Sequence, residues 1–200
     1  GTQPAALSAE ALLIWSRFAV IAGDTTSGLF APDVPAISAC DRWLSAWQKA
    51  DKPWRDMAPD VVVTFGAPLV SRRLRDALAQ LDFEHLHLGP SEEAPQAFAR
   101  PPGAVVCDVN AAIEAGALAS ELSPSSRRSP QLEDWSQTWW TQEAAVRNRH
   151  DTAIGAAPWS DLRAHHCLHE ALPGGWELHL GNSTPVRYAQ LFESKEKLHP

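Results

Sequence analysis

The sequence predicts an α/β fold, a doubly wound, Rossmann-like, mostly parallel sheet flanked by helices. Three observations carry that expectation. Val61-Val62-Val63-Thr64-Phe65 is a continuous β-branched run of strand length. Gly66-Ala67-Pro68 breaks the run, and apolar residues at helical spacing follow from Leu69 to Leu81, giving half of a βαβ unit. The same alternation of short apolar runs and helical patterns recurs along the chain, and strands separated by helices argue for a parallel sheet covered on both faces.

Each element follows from local pattern. Ala5 to Trp15 has helical spacing, and Phe18 to Ala22 suits a strand buried on both faces and ended by Gly23. Asp24-Thr25-Thr26-Ser27-Gly28 is then a polar loop. Ser38 to Gln48 should be a helix with Trp43 and Trp47 on one face. After the strand and helix at 61–81 come strands at Phe83 to Leu88 and Gly103 to Val109, then an Ala-rich helix from Ala111 to Leu122. Ser123 to Pro130 is a Ser/Arg/Pro linker, beyond which the composition changes. Leu132 to Arg149 is a long helix bearing Trp135, Trp139 and Trp140. Ser160 to Leu172 is another, stopped by Pro173-Gly174-Gly175. Trp176 to Leu180 reads as a strand, Gly181 to Pro185 as a turn, and Pro185 to Phe192 as a helix. These last elements open a second α/β domain.

Composition bounds the function. The chain has 200 residues, 44% hydrophobic and 20% charged, which is enough for one domain with a core and part of another. It begins with Gly1, as a trimmed or fragmentary chain would. No apolar run approaches the ~20 residues of a membrane span. The stretch Ala11 to Gly23 is broken by Ser16 and Arg17 and lacks a basic flank, so it does not read as a convincing signal peptide. A formal charge of −7 disfavours nucleic acid and leaves any anionic ligand to a local arginine cluster. Cys40, Cys107 and Cys167 are odd in number and form no CxxC pair, so three free buried thiols and a cytoplasmic location are expected.

Two turns could carry chemistry, because ligands of open parallel sheets collect where strands end and helices begin. In Gly66-Ala67-Pro68-Leu69-Val70-Ser71-Arg72-Arg73, the arginines lie in the first helical turn. A guanidinium fork matches a carboxylate; the alternative is a solvated basic face paired with Asp76 or Glu84. In Gly181-Asn182-Ser183-Thr184-Pro185-Val186-Arg187, Thr184 suits an N-cap and Pro185 the first helical position. Capping does not account for Asn182, Ser183 or Arg187, which a strand-end site would; a plain turn is the alternative.

Other residues are weaker. His165 and His169 share a helix face as a metal pair would, but no further ligand is placed to complete a site, and an exposed or capping face is the alternative. His85 and His87 alternate in a strand with no visible partner. Trp135, Trp139, Trp140, Trp159 and Trp176 suit helix-to-core packing better than base stacking in an acidic chain. No GxGxxG fingerprint is present.

The run Gly181-Asn182-Ser183-Thr184-Pro185-Val186-Arg187-Tyr188-Ala189-Gln190-Leu191-Phe192 resembles a motif of the 2-succinyl-5-enolpyruvyl-6-hydroxy-3-cyclohexene-1-carboxylate synthase family, at the start of its cofactor-binding domain. Residues Pro59 to Leu74 resemble that family's central-domain strand and arginine turn, and Asp24 to Leu29 and Cys40-Asp41-Arg42 resemble other central-domain segments. The resemblance covers residues 18 to 192 in patches. It implies a thiamin diphosphate-dependent transferase of menaquinone synthesis that joins 2-oxoglutarate, with decarboxylation, to isochorismate. It also implies Mg2+ or Mn2+, homodimers or homotetramers, and no nucleic-acid or membrane partner. Arg72 and Arg73 would hold substrate carboxylates, and Asn182, Ser183 and Arg187 would contact substrate near the cofactor. Arg72 departs from the family, which often has lysine there.

The same resemblance sets the expected boundaries. Residues 1–125 are an N-terminally incomplete central α/β domain, 126–150 a linker and Trp-rich helix, and 151–200 the truncated start of the thiamin diphosphate-binding domain. The family's activating glutamate is not recognisable, and its Gly-Asp-Gly diphosphate and metal motif is absent. The chain alone should therefore hold no catalytic residue, cofactor or metal and be inactive. A stand-alone nucleotide- or ligand-binding module and a non-catalytic association domain are the competing readings.

Overall fold

The computed structural model describes residues 7–23, 27, 29, 35–37, 40–42, 44, 57–93, 98, 101–122, 130–173 and 178–192. Its elements are α1 (Ala9–Trp15), β1 (Ile21–Ala22), β2 (Ala36–Ile37), β3 (Val61–Phe65), α2 (Arg72–Leu78), β4 (Glu84–Gly89), β5 (Gly103–Val106), α3 (Val109–Leu122), α4 (Pro130–Ala156), α5 (Asp161–Ala171) and α6 (Thr184–Ala189). Residues 40–42 and 44 are also helical, within the helix expected at 38–48; Trp43 and Trp47 lie outside the described residues.

All described strands pair in parallel. β1 pairs with β2, and β3, β4 and β5 follow one another across a second sheet, with Val63 opposite Leu86 and Leu88 opposite Val105. Side chains alternate across a strand, and the alternation splits the core in two. Val62 and Phe83 face a cluster containing Leu74, Leu78, Trp139 and Val146. Phe65 and Leu88 face a cluster built from Leu12 of α1 and Val109, Ile113 and Ala117 of α3. The sheet therefore has helices on both faces, the α/β arrangement read from the sequence.

Turn chemistry positions the ends. β3 stops at Gly66, whose φ of 76° is the left-handed region where a side chain is strained. α2 starts at Arg72 rather than Leu69 because the Ser71 hydroxyl caps it, accepting from the Leu74 N–H at 3.0 Å. β5 ends at Val106, short of Val109, because Asp108 caps α3 through its carboxylate and the Ala111 N–H at 2.8 Å.

Some expectations need correction. Only Ile21 and Ala22 of the 18–22 run are strand, and Ala22 is exposed rather than buried. Phe18 and Ala19 instead close the end of α1, each donating its N–H to the Trp15 carbonyl at 3.0 Å. Residues 178–180 are not strand; a strand needs a neighbouring ladder to satisfy its backbone, and Trp176 lies outside the described residues. Most of the 24–28 loop and residues 123–129 of the linker also lie outside them. The Trp-rich helix is longer than read, running unbroken from Pro130 to Ala156. Trp139 is buried and Trp135 and Trp140 pack on the same core, but Trp159 is 77% exposed. Of the cysteines, only Cys40 is buried; burial pushes its thiol far up in pKa, so it packs as a small hydrophobe.

α1 and α3 meet through one close approach. A Cβ placed on Gly116 would lie 2.5 Å from the Trp15 ring, whose Nε1 donates to the Ile113 carbonyl at 2.8 Å. Gly116→Ala gains helix propensity but must displace that ring. A net loss of about 1–3 kcal/mol is expected in urea unfolding, and a stabilised variant would contradict this packing.

Candidate functional site

The Asp41 backbone and side chain meet the first arginine turn. Arg72 and Arg73 are the first two residues of α2, and both are exposed. Arg72 pairs with Asp76 one turn on, Nε to Oδ2 at 3.3 Å, with side chains 84% and 60% exposed. Such a pair is worth only a few tenths of a kcal/mol and is easily exchanged for a ligand. Arg73 donates from Nη1 to the Asp41 carbonyl at 3.3 Å, and the Ser71 hydroxyl donates to the Asp41 carboxylate.

The second turn differs from the sequence expectation. Ser183, not Thr184, is the N-cap of α6. It has a φ of 74° and makes no side-chain capping bond; Thr184 and Pro185 are already helical. The Asn182 side chain caps locally, its Oδ1 accepting from the Ser183 N–H at 2.7 Å. A non-glycine residue in this region is strained. Asn182, Ser183 and Arg187 are all exposed. At the far end of α6, the Leu191 carbonyl accepts from the Arg42 guanidinium. Asp41 thus touches the first turn, and Arg42 the chain just past the helix that follows the second, a proximity that sequence spacing alone did not indicate.

Arg42 lies beside a buried ionic group. Glu143, 2% exposed, accepts from Arg147 at 2.8 and 2.9 Å on α4. Burial, then the Arg147 charge, lowers the Arg42 guanidinium to about 10, opposed by Glu143 and Asp151. The Glu143–Arg147 pair was legible as an i,i+4 spacing; its burial was not.

The histidines find partners that the sequence did not reveal. The Thr64 hydroxyl lies 2.9 Å from His85 Nε2 and 3.0 Å from His87 Nδ1, joining β3 to β4 inside the core. A cavity of about 260 Å3 beside His85, lined also by Phe83, Phe98 and Pro101, contains none of the five candidate site residues. His165 packs on Tyr188 at 5.2 Å, and His166 and His169 pack on Phe192 at 5.3 and 5.5 Å. His150 of α4 reaches the same Phe192 ring at 6.0 Å. These are packing contacts between α4, α5 and the end of α6, neither an exposed face nor a cap. No group of three or more His, Cys, Asp or Glu that could hold a metal ion occurs among the described residues.

Burial lowers the pKa of His85, His87, His150 and His169, helped at His85 by His87, at His150 by Arg42, and at His169 by His165. The unfolded chain therefore binds more protons, so stability falls as pH drops through the ordinary histidine value near 6.5. Thermal melts should show a lower Tm at pH 5.5 than at pH 8. A Tm unchanged across that range would contradict the burial of these rings.

No family model matches the chain. It is 30% identical over 166 residues to a 2-succinyl-5-enolpyruvyl-6-hydroxy-3-cyclohexene-1-carboxylate synthase of Porphyromonas gingivalis, covering 78% of this chain and 27% of that protein. It is 40% identical over 52 residues to the enzyme of the same name from Christiangramia forsetii, covering 26% and 9%. The Bacteroides fragilis enzyme of that name is 30% identical over 139 residues, covering 68% and 22%. The chain thus spans well under a third of the length of these relatives. It is similar, over most of its own length, to a segment of the 2-succinyl-5-enolpyruvyl-6-hydroxy-3-cyclohexene-1-carboxylate synthases.

Proposed function

We propose that this chain is the part of such a synthase that supplies carboxylate-binding residues, within a larger thiamin diphosphate-dependent transferase. The observation that supports the reading is that the first arginine turn bonds Asp41, while the neighbouring Arg42 bonds Leu191, just past the helix that carries Arg187. The substrates would be 2-oxoglutarate and isochorismate, both dicarboxylates. A chain of net charge −7 binds such anions only where guanidinium groups are concentrated. Arg73 and Arg187 would each pair a fork with a carboxylate, and Arg72 would exchange its exposed Asp76 partner for substrate. Asn182 and Ser183 would orient the substrate on the strained turn between them.

The described residues do not fit the cofactor. The sequence has no Gly-Asp-Gly motif, and the described residues include no metal-ligand group. Thiamin diphosphate and its Mg2+ or Mn2+ would be held by other parts of a longer protein. In this reading Arg72, Arg73, Asn182, Ser183 and Arg187 bind and orient the substrate. The boundaries near residues 125 and 150, a homodimeric or homotetrameric state, and a cytoplasmic location belong to the same proposal.

The test compares the chain with the full protein that carries it. The full protein should decarboxylate 2-oxoglutarate only with thiamin diphosphate and a divalent metal, and the isolated chain should not. A full protein inactive under those conditions would overturn the reading. Tight, saturable nucleotide binding by the isolated chain would replace it with a Rossmann-type ligand module.

A further inference from the structure

We infer that Asp41 and Arg42 are positioning residues that hold the two candidate carboxylate-binding turns in register. The inference rests on the proposed role of those turns and adds residues to it that touch no substrate themselves.

The arginine turn at 71–73 and the turn at 182–187 lie far apart in sequence. Local folding therefore cannot fix one relative to the other. A substrate gripped at two carboxylates needs both grips placed to within a fraction of an ångström. Residues 41 and 42 supply the connection. Neighbours on a helix point about 100° apart, so one residue can serve each side. Asp41 turns toward α2, where its carboxylate accepts from the Ser71 hydroxyl and its carbonyl accepts from Arg73. Ser71 is also the cap of α2, so Asp41 orients the helix start on which Arg72 and Arg73 sit. Arg42 turns the other way and donates to the Leu191 carbonyl. Leu191 lies just past α6 and is bonded back to it through its N–H to the Tyr188 carbonyl at 2.8 Å, so anchoring Leu191 restrains the helix that carries Arg187.

The chemistry at Arg42 is expensive for a purely structural contact. Its guanidinium is largely removed from water beside a second guanidinium, Arg147, and its Nε is buried with no hydrogen-bond partner among the described residues. Apolar residues usually fill such space at lower cost. A charged donor is retained where a directed bond has to be made, and here the directed bond goes to the end of α6.

The experiment uses the full protein that carries this segment and measures KM for both carboxylate substrates, kcat, and Tm. Asp41→Asn keeps the shape but leaves Ser71 only a neutral, weaker acceptor. Arg42→Met removes the bond to Leu191, and Arg42→Lys restores a donor. Asp41→Asn and Arg42→Met should each raise KM for at least one substrate by about tenfold, with kcat changed less than KM. Arg42→Lys should recover most of the affinity. Asp41→Asn combined with Arg73→Ala, and Arg42→Met combined with Arg187→Ala, should lose less than the product of the single effects, because each pair acts on one turn. Should Arg42→Met fail to fold, Asp41→Asn and Arg42→Lys still decide the matter. Unchanged KM in Asp41→Asn, or strictly multiplicative losses in both pairs, would overturn the positioning role. If Arg73→Ala and Arg187→Ala themselves leave KM unchanged, the carboxylate site falls and this inference with it. If those two variants weaken binding while the Asp41 and Arg42 variants do not, only the inference falls.

Discussion

Trp139→Ala should destabilise the chain by about 3–5 kcal/mol, the range for losing a buried tryptophan from a packed core. Trp139 is 5% exposed, at the centre of α4's buried stripe. Its ring meets Trp135 edge to face at 5.8 Å, and both pack on the cluster that holds Leu74, Leu78 and Val146. Trp135 in turn donates from Nε1 to the Met57 carbonyl at 3.2 Å. Emptying the Trp139 site would leave Trp135 without its neighbour and separate α4 from the face of the sheet that carries α2. Urea unfolding should show a lower midpoint with the slope nearly unchanged. Trp139→Phe, which refills part of the space, should lose less. A loss under about 1 kcal/mol for the alanine variant would mean that α4 is not packed on this core.

Glu143→Ala should cost a similar amount, about 3–5 kcal/mol, for an electrostatic reason. Glu143 is 2% exposed and accepts from Arg147 at 2.8 Å. It also offsets Arg42, whose guanidinium is disfavoured by burial and by Arg147. Without the carboxylate, two guanidinium groups would face each other with little water to screen them. Adding Arg42→Met to Glu143→Ala should therefore recover part of the loss, since one of the uncompensated charges goes with it. A double variant that is less stable than Glu143→Ala would contradict this account of the cluster.

Much of the α/β frame was legible because it is local. The β-branched run at 61–65, a glycine at positive φ and a serine cap determine β3, the turn and the start of α2 within a dozen residues. The burial that joins these elements was harder to read. His85 and His87 lie 21 and 23 residues from the Thr64 hydroxyl that binds them, and Arg42 lies 149 residues from Leu191. Periodicity reports which face is apolar, not which distant group meets it. Trp159 shows the converse. An aromatic residue near a helix suggested core packing, yet it sits just before α5 and is 77% exposed. The α6 turn failed for a third reason. Thr184 is a good capping residue, but Asn182 bonds the Ser183 N–H first and shifts the helix start by one residue.

The two arginine turns were placed as candidates by residue type and by resemblance; the geometry adds Asp41 against the first and Arg42 against Leu191, past the helix that follows the second. The most direct test is calorimetric titration of the full protein with isochorismate, comparing the unaltered chain with Arg73→Ala and Arg187→Ala. Each substitution should weaken binding by about 10- to 100-fold, the loss of one charge-assisted pair. Affinities within twofold of the unaltered protein in both variants would show that these guanidinium groups do not hold the substrate.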